Sequence, residues 1–298
     1  MKKKLMFIVN PHSGGKKHEQ LTKSVERLID ANRFDTQIVY TQYARHASEI
    51  SRQAVTDGID VLVAVGGDGT INEVASEIVN TNVVLGIVPM GSGNGLARHL
   101  GIPRQIDKAI ALINQSVHTK IDTCTVNGQR FVSIAGVGFD ALVAKFFAKS
   151  ERRGFLGYFT IVANKYLSYR PKKYKLKFAN GDTLQTRALF IAFANSNQFG
   201  YNTTIAPEAR ISDGLLDVCI VKKPLLVSLP VVANLLLLKK INLANEVQIM
   251  QTPEVTVIQS RNRVVNMDGE PVRIAKKLYV KIDPLSLHIL INKEDGKI

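Results

Sequence analysis

The chain has 298 residues, a formal net charge of +14 at pH 7, 45% hydrophobic and 21% charged residues. This composition excludes a disordered chain, and the length suffices for a full core and two domains. So large a positive excess calls for anionic partners: a phosphorylated substrate, an anionic membrane surface or nucleic acid, although most single lysines serve only to solvate the surface.

The opening MKKKLMFIVNP has an apolar run, Leu5 to Val9, too short for a signal peptide; it predicts a buried strand ending in a turn. Leu21, Val25, Leu28 and Ile29 lie at the spacing of one helical face, TQIVYT predicts a second strand, and Ala47, Ile50 and Ala54 a second helix. DVLVAVGG then leads into a helix bearing Ile71, Val74, Ala75 and Ile78, and VVLGIVPMGSGNG repeats the passage from strand to glycine loop. This alternation predicts a parallel sheet with helices on both faces.

Near Thr119 the pattern changes. TVNGQRF and KFANGDTL each place Asn-Gly between strand-like runs, the hairpin signal, and LLDVCIVK, EVTVIQS, RVVNMDGEP and KLYVKID continue in that manner. The second half is predicted mostly antiparallel β, with helical insertions around Lys145 to Tyr169 and Leu225 to Leu243. The expected domains are 1–125 and 126–285, with the final LSLHILIN (Leu285 to Asn292) able to belong to either, so that 286–298 could return to the first. Cys124 and Cys219 have no CxxC spacing, so neither a disulfide framework nor a zinc site is expected, which fits a reducing cytoplasm. The stretch Leu225 to Leu238 is too short to span a bilayer and is interrupted by Ser228, Pro230 and Asn234. Flanked by Lys222, Lys223, Lys239 and Lys240, it is a second candidate for membrane contact, with a core helix of the second domain the expectation placed ahead of lipid insertion.

Three strand–glycine–helix loops, Pro11 to Gly15, Gly66 to Thr70 and Gly91 to Gly95, have the form that binds phosphate through main-chain amides and a helix N-terminus. In a parallel sheet they emerge together at the carboxyl edge. No G-x-x-x-x-G-K-[ST] is present, and GVGFDA (Gly136 to Ala141) lacks the βαβ setting of a dinucleotide site. Asp68 within the second loop would repel bare phosphate. It suits a metal, a hydroxyl hydrogen or a neutralised phosphoryl group; the simpler alternative is an N-cap for a helix starting near Thr70.

NPHSGG, GGDGTINEVA, GIVPMGSGNGLARHL, AGVGFDA, ISDGLLDV and NMDGEP, in this order, resemble the diacylglycerol kinase family of lipid kinases, which includes sphingosine and ceramide kinases. GGDGT alone is shared with NAD kinases and phosphofructokinases, so an NAD kinase is the rival enzyme. The resemblance implies an α/β nucleotide-binding domain followed by an antiparallel β-sandwich, with MgATP donating its γ-phosphate to a lipid hydroxyl. It implies ATP phosphates along Asn10 and Gly14, nucleotide contact at Thr41, a central cradle of Gly66, Gly67, Asp68, Gly69, Thr70 and Asn72, and Ser92 in the third loop. Glu270 matches the family's general base and Asp268 a supporting carboxylate. Asp213, with the carbonyls of Arg210 and Leu215, matches an Mg2+ loop, and Asp122 a linking carboxylate. Gly95 stands where many bacterial diacylglycerol kinases carry an acid, which resembles the sphingosine-kinase pattern and leaves the acceptor open between diacylglycerol and a sphingoid lipid.

Basic residues crowd the stretch from Lys145 to Lys177, with Arg152 and Arg153 among them, interleaved with Phe146, Phe147, Phe155, Tyr158, Phe159, Tyr166 and Tyr169. That composition suits peripheral docking of a cytoplasmic protein on an anionic membrane. It also allows a nucleic-acid-binding protein, but no module for one is present and the glycine loops would then have no purpose, so no nucleic-acid partner is expected. A homodimer stays open.

Overall fold

The computed structural model describes residues 2–15, 18–115, 117–150, 154–200, 203–259 and 264–292. Contacts divide the chain into two compact units, Met1–Asp122 with Leu285–Ile298, and Thr123–Pro284.

The first unit alternates strand and helix: β1 (Lys3–Val9), α1 (His18–Leu28), β2 (Phe34–Tyr40), α2 (His46–Thr56), β3 (Val61–Gly66), α3 (Asp68–Ile78), β4 (Val84–Pro89), then α4 (Gly95–His99) and α5 (Ile106–Gln115). The strands pair in parallel in the order β2-β1-β3-β4. Leu5 to Val9 and Val61 to Gly66 are buried along their whole length, because helices cover both faces of such a sheet and leave no solvent side for polar residues. α3 turns Ile71, Val74, Ala75 and Ile78 inward, at the spacing of one helical face. The last strand of the chain, β18 (Lys277–Ile291), adds to this sheet from Leu285 onward: His288 and Ile289 pair in parallel with Val84 and Leu85 of β4.

The second unit is a sandwich. β5 (Val117–Val126), which begins in the first unit, forms a hairpin with β6 (Gln129–Phe131) through Asn127-Gly128, both in the left-handed region. β7 (Ile134–Gly138), α6 (Phe139–Ala148), α7 (Phe155–Tyr166), β8 (Lys172–Phe178), β9 (Thr183–Ala188), β10 (Phe190–Ala194), β11 (Gln198–Gly200), β12 (Thr203–Thr204) and β13 (Leu216–Val221) follow. The chain then runs through α8 (Leu229–Leu237), a 3-10 turn at Ile241–Leu243, β14 (Val247–Thr252), β15 (Glu254–Gln259), β16 (Val264–Met267) and β17 (Glu270–Arg273). One sheet runs β14-β13-β10-β7-β16-β17; opposite it, the first part of β18 pairs antiparallel with β15, β15 with β8 and β8 with β9. Their facing side chains, Val137, Phe193 and Val218 from one sheet and Leu176, Val257 and Val280 from the other, form one core. On the outer face of the six-stranded sheet, Tyr166, Tyr169 and Phe139 make one cluster, and Val232, Leu235 and Leu236 of α8 lean on another.

The fold class is the one expected, a parallel α/β unit and an antiparallel sandwich. α8 departs from expectation: none of its residues is buried, so it is not a core helix. Tyr166 and Tyr169 are buried rather than displayed beside the lysines. Arg152 and Arg153 lie outside the described residues, as does the side chain of Phe155.

Candidate active site

In the first unit the registers bring Val9, Tyr40, Val65 and Pro89 to one end of the sheet, so the loops that follow share the carboxyl edge. Asn10 donates its side-chain amide to Thr70 Oγ1 at 3.1 Å and accepts the His12 N–H at 3.0 Å, which closes the first loop on itself and ties it to α3. Gly14, exposed and at φ +76, backs onto Met90, whose Cε would lie 2.7 Å from any Cβ there. Thr41 is buried, with its N–H bonded to the carbonyl of Val9. Thr70 is buried, Asn72 half-buried and receiving the Ser76 hydroxyl, and Ser92 exposed.

The second and third loops are joined at backbone distance. Met90 and Gly91 both donate N–H to the carbonyl of Gly66, and a Cβ on Gly91 would sit 2.5 Å from the Gly67 Cα, so only glycine allows this approach. α3 begins at Asp68, with Gly67 as its N-cap and no side chain capping it. Asp68 is thus the first residue of the helix and not its N-cap residue. Its carboxylate reaches across to the third loop and accepts the N–H of Asn94 at 2.8 Å and of Gly95 at 2.7 Å, the amides that open α4. Although its side chain keeps some accessible surface, burial among protein atoms raises its pKa; the amides of Gly95, Asn94 and Asp68 itself, and then Arg98, pull the other way. Asn94, fully buried at φ 55, clasps Gly91 through both its amide nitrogen and oxygen, and Arg98 Nε donates to the Gly93 carbonyl. Asn94 and Arg98 were not singled out from the sequence. The signal for Asn94 was there, since asparagine before a helix tolerates the left-handed region.

In the second unit β16 and β17 are joined by the two-residue turn Asp268-Gly269, both at positive φ, with Met267 opposite Glu270. Asp268 is buried, and its carboxylate accepts three successive amides, Val132 at 2.8 Å, Ser133 at 2.9 Å and Ile134 at 3.0 Å. The turn is thereby pinned to the start of β7. Glu270 stands exposed at the head of β17. One strand position away, Asn266 donates its side-chain amide to both oxygens of Asp140, at 3.1 and 2.9 Å. Asp140 is buried in the first turn of α6, directly over Gly136, where a Cβ would come within 2.1 Å of its Oδ2. Burial pushes its pKa up to about 6, against the opposing bond from Asn266. Its only sequence signal was the glycine that GVGFDA sets four residues before the aspartate.

The segment Arg210 to Leu215 is a loop before β13. Asp213 is exposed and its Oδ1 accepts the Leu215 N–H at 3.0 Å, with Gly214 at φ +71 completing the turn. Asp217, buried at the start of β13, has its pKa raised to about 6, by burial first and then by the charges of Asp213 and Glu208; Gln251 opposes this. Its Oδ2 is buried without a hydrogen bond. Acidic oxygens and turn carbonyls gathered at one loop suit a hard divalent cation, although no group of three or more His, Cys, Asp or Glu side chains able to hold a metal occurs among the described residues. Asp122 in the first unit is buried and accepts the Leu285 N–H at 2.7 Å, which secures the returning strand.

Comparisons with known proteins follow the same division. Residues 4–126 match the profile of the diacylglycerol kinase catalytic domain, and residues 133–291 that of the YegS C-terminal NAD kinase β-sandwich-like domain. The diacylglycerol kinase of Bacillus subtilis is 30% identical over 99% of this chain and 98% of its own length. A diacylglycerol kinase crystal structure from Bacillus anthracis superposes with a TM-score of 0.81 over 98% of each chain at 24% identity. An NAD kinase from Archaeoglobus fulgidus, solved with ATP, shares the fold at TM-score 0.55 and 10% identity, over 97% of this chain and 94% of its own. The chain belongs to the diacylglycerol kinase catalytic-domain family of lipid kinases.

Proposed function

We propose that this protein transfers the γ-phosphate of MgATP to a lipid hydroxyl, with diacylglycerol as acceptor and phosphatidic acid as product, as a cytoplasmic enzyme working at a membrane surface. The observation that carries the reading is the joined carboxyl-edge loops, held by Asp68 across to Asn94 and Gly95. Phosphoryl transfer is catalysed chiefly by positioning and charge stabilisation, and a rigid set of main-chain amides provides both.

In this reading Asn10, Gly14, Thr41, Gly66, Gly67, Gly69, Thr70, Asn72 and Ser92 receive the nucleotide. Asp68 acts on it through the loops it holds, because both its oxygens already accept main-chain amides. Glu270 takes the proton of the lipid hydroxyl as that oxygen attacks the γ-phosphorus; the P–O bond to ADP breaks and ADP leaves. Asp268 positions Glu270 by holding the turn that precedes it. An Mg2+ ion bound with ATP would neutralise charge on the phosphates. Asp213, with the carbonyls of Arg210 and Leu215, would hold a separate Mg2+ that stiffens its loop.

A sphingoid acceptor is the second reading, favoured by Gly95: its N–H is taken by Asp68 and the position carries no acid. Incubation with radiolabelled ATP and mixed micelles of diacylglycerol, sphingosine or ceramide, beside NAD in solution, decides between them. Labelled phosphatidic acid is the expected product. Label in NAD alone, or in no acceptor, would refute the lipid-kinase reading.

A further inference from the structure

The second unit carries apolar surface that no described residue covers. α8 is apolar around most of its circumference, yet only Val232, Leu235 and Leu236 lean on the sheet behind it. Val231, Leu237 and Leu238 point away and are exposed, and the approach to the helix is more open still, with Val227 84% and Leu225 73% accessible. A helix apolar on all sides is at home in a core or against lipid. This one has a core on one side only.

The surface continues onto α7. Tyr166 Oη donates to the Pro224 carbonyl at 2.7 Å, Lys223 Nζ donates to the carbonyls of Leu167 and Tyr169, and Leu229 packs on the cluster of Tyr166 and Tyr169. These contacts hold Leu225 to Val227 beside the end of α7, where Leu167 is exposed, with Leu156 (79% accessible) and Phe159 further along the helix. Charge accompanies the apolar residues. Lys222, Lys239 and Lys240 are exposed at the two ends of the α8 segment, no acidic residue occurs from Lys222 to Leu243 or from Gly154 to Phe178, and Lys165 lies over the Phe146 ring. Two acids from elsewhere in the chain meet this surface among the described residues: Glu246 accepts the Ser228 hydroxyl and Glu208 the side-chain amide of Asn242.

We infer that the α7 end and the 225–238 segment together form the face that docks on an anionic bilayer, with Leu225, Leu226, Val227 and Val231 entering the interface and Lys222, Lys239 and Lys240 meeting the headgroups. The charge selects this occupant. A second copy presenting the same face would set lysine against lysine, whereas anionic headgroups complement the cationic rim. α8 is short, and no described helix is long and apolar enough to cross a membrane, so the contact is interfacial.

The inference deepens the lipid-kinase reading and rests on it for its purpose, but vesicle binding without ATP tests it separately. The whole protein is sedimented with vesicles of phosphatidylglycerol in phosphatidylcholine, and with phosphatidylcholine alone, at low and high salt. The wild type is expected on the anionic vesicles only, released by salt. The variant Leu226→Ser/Val227→Ser/Val231→Ser should lose binding by roughly tenfold or more, since it removes the inserted apolar area, and Lys239→Ser/Lys240→Ser by roughly tenfold through lost charge. Both variants change exposed residues and should unfold at the wild-type temperature. Phosphorylation of a water-soluble short-chain diacylglycerol should be unchanged while that of bilayer-embedded diacylglycerol falls. Wild-type binding by the triple variant, equal binding to both vesicle types, or a wild-type dimer that the triple variant dissociates would overturn the assignment. Vesicle binding without phosphoryl transfer would instead leave the docking face standing and refute the kinase reading.

Discussion

Asp68 and Asp268 stand in look-alike stretches, GGDGT and NMDGE, yet the two units use them differently. Asp68 joins two loops distant in sequence, taking the amides of Asn94 and Gly95 while part of its side chain stays accessible. Asp268 is buried and takes three consecutive amides at the start of one strand. The first holds together the edge whose main chain is proposed above as the nucleotide-binding surface. The second anchors a hairpin so that a different side chain, Glu270, projects from it. An aspartate beside glycine is thus an anchor in both units, and the chemistry lies in what it anchors.

Four experiments can break or sharpen that contrast. The largest effect is expected at Glu270, where Glu270→Gln should lower turnover by roughly 10^2- to 10^4-fold with ATP affinity unchanged, as read by labelled-phosphate transfer and nucleotide titration; near-normal turnover would remove it as the base. Next come the anchors. Asp268→Ala leaves three buried amides without an acceptor and should cost about 3–5 kcal/mol in urea unfolding. Asp68→Ala, with fewer amides held by a less buried carboxylate, should cost about 1–3 kcal/mol and weaken ATP binding as well. Equal stability losses, or intact ATP affinity in Asp68→Ala, would contradict the contrast.

Burial provides the third. Asp140 has a pKa near 3.8 in the unfolded chain and about 6 in the folded one, so the native state holds the proton more firmly. Its contribution is most favourable below the lower value and declines as pH rises through about 6. Asp140→Asn should flatten that part of the stability–pH curve and raise the unfolding free energy at neutral pH by up to about 3 kcal/mol, read as a higher melting temperature and partly masked by Asp217, which is shifted the same way. A variant less stable than wild type at neutral pH would show that the carboxylate's bonds to Asn266 outweigh its desolvation. The smallest effect is expected at Asp213. Because its side chain is exposed, Asp213→Ala in a chelator should shift stability by less than about 1 kcal/mol. The wild type alone should gain thermal stability on adding Mg2+, and an equal gain in the variant would place the ion elsewhere.

The parallel half was legible because its signal is local: each strand is a short apolar run, each helix an apolar stripe, and each loop carries glycine. Asn-Gly and Asp-Gly likewise marked the hairpins at Asn127 and Asp268, whose left-handed backbone those residues accept. The candidate loops could be listed, but Asp68's partners could not, since Asn94 and Gly95 are remote in sequence and their amides are main-chain groups that no residue type announces. Asp140 was passed over for the same reason. Its environment is set by Asn266 and by the missing side chain of Gly136, whose place its carboxylate fills, neither visible from the motif alone. The apolar run at α8 suits a core helix or a membrane contact equally in composition, which measures hydrophobicity and not coverage; only its lack of buried residues sets the core reading aside.

By itself, then, the chain's pattern of apolar periodicity and turn residues determined the fold class, for these act over a few neighbouring positions. Tertiary structure alone decided which carboxylates are anchored and which stand exposed, which strand the chain end joins, and which apolar face is left open. Each of those depends on hydrogen bonds and burial between segments far apart along the chain, and such contacts exist only once the sheets have formed.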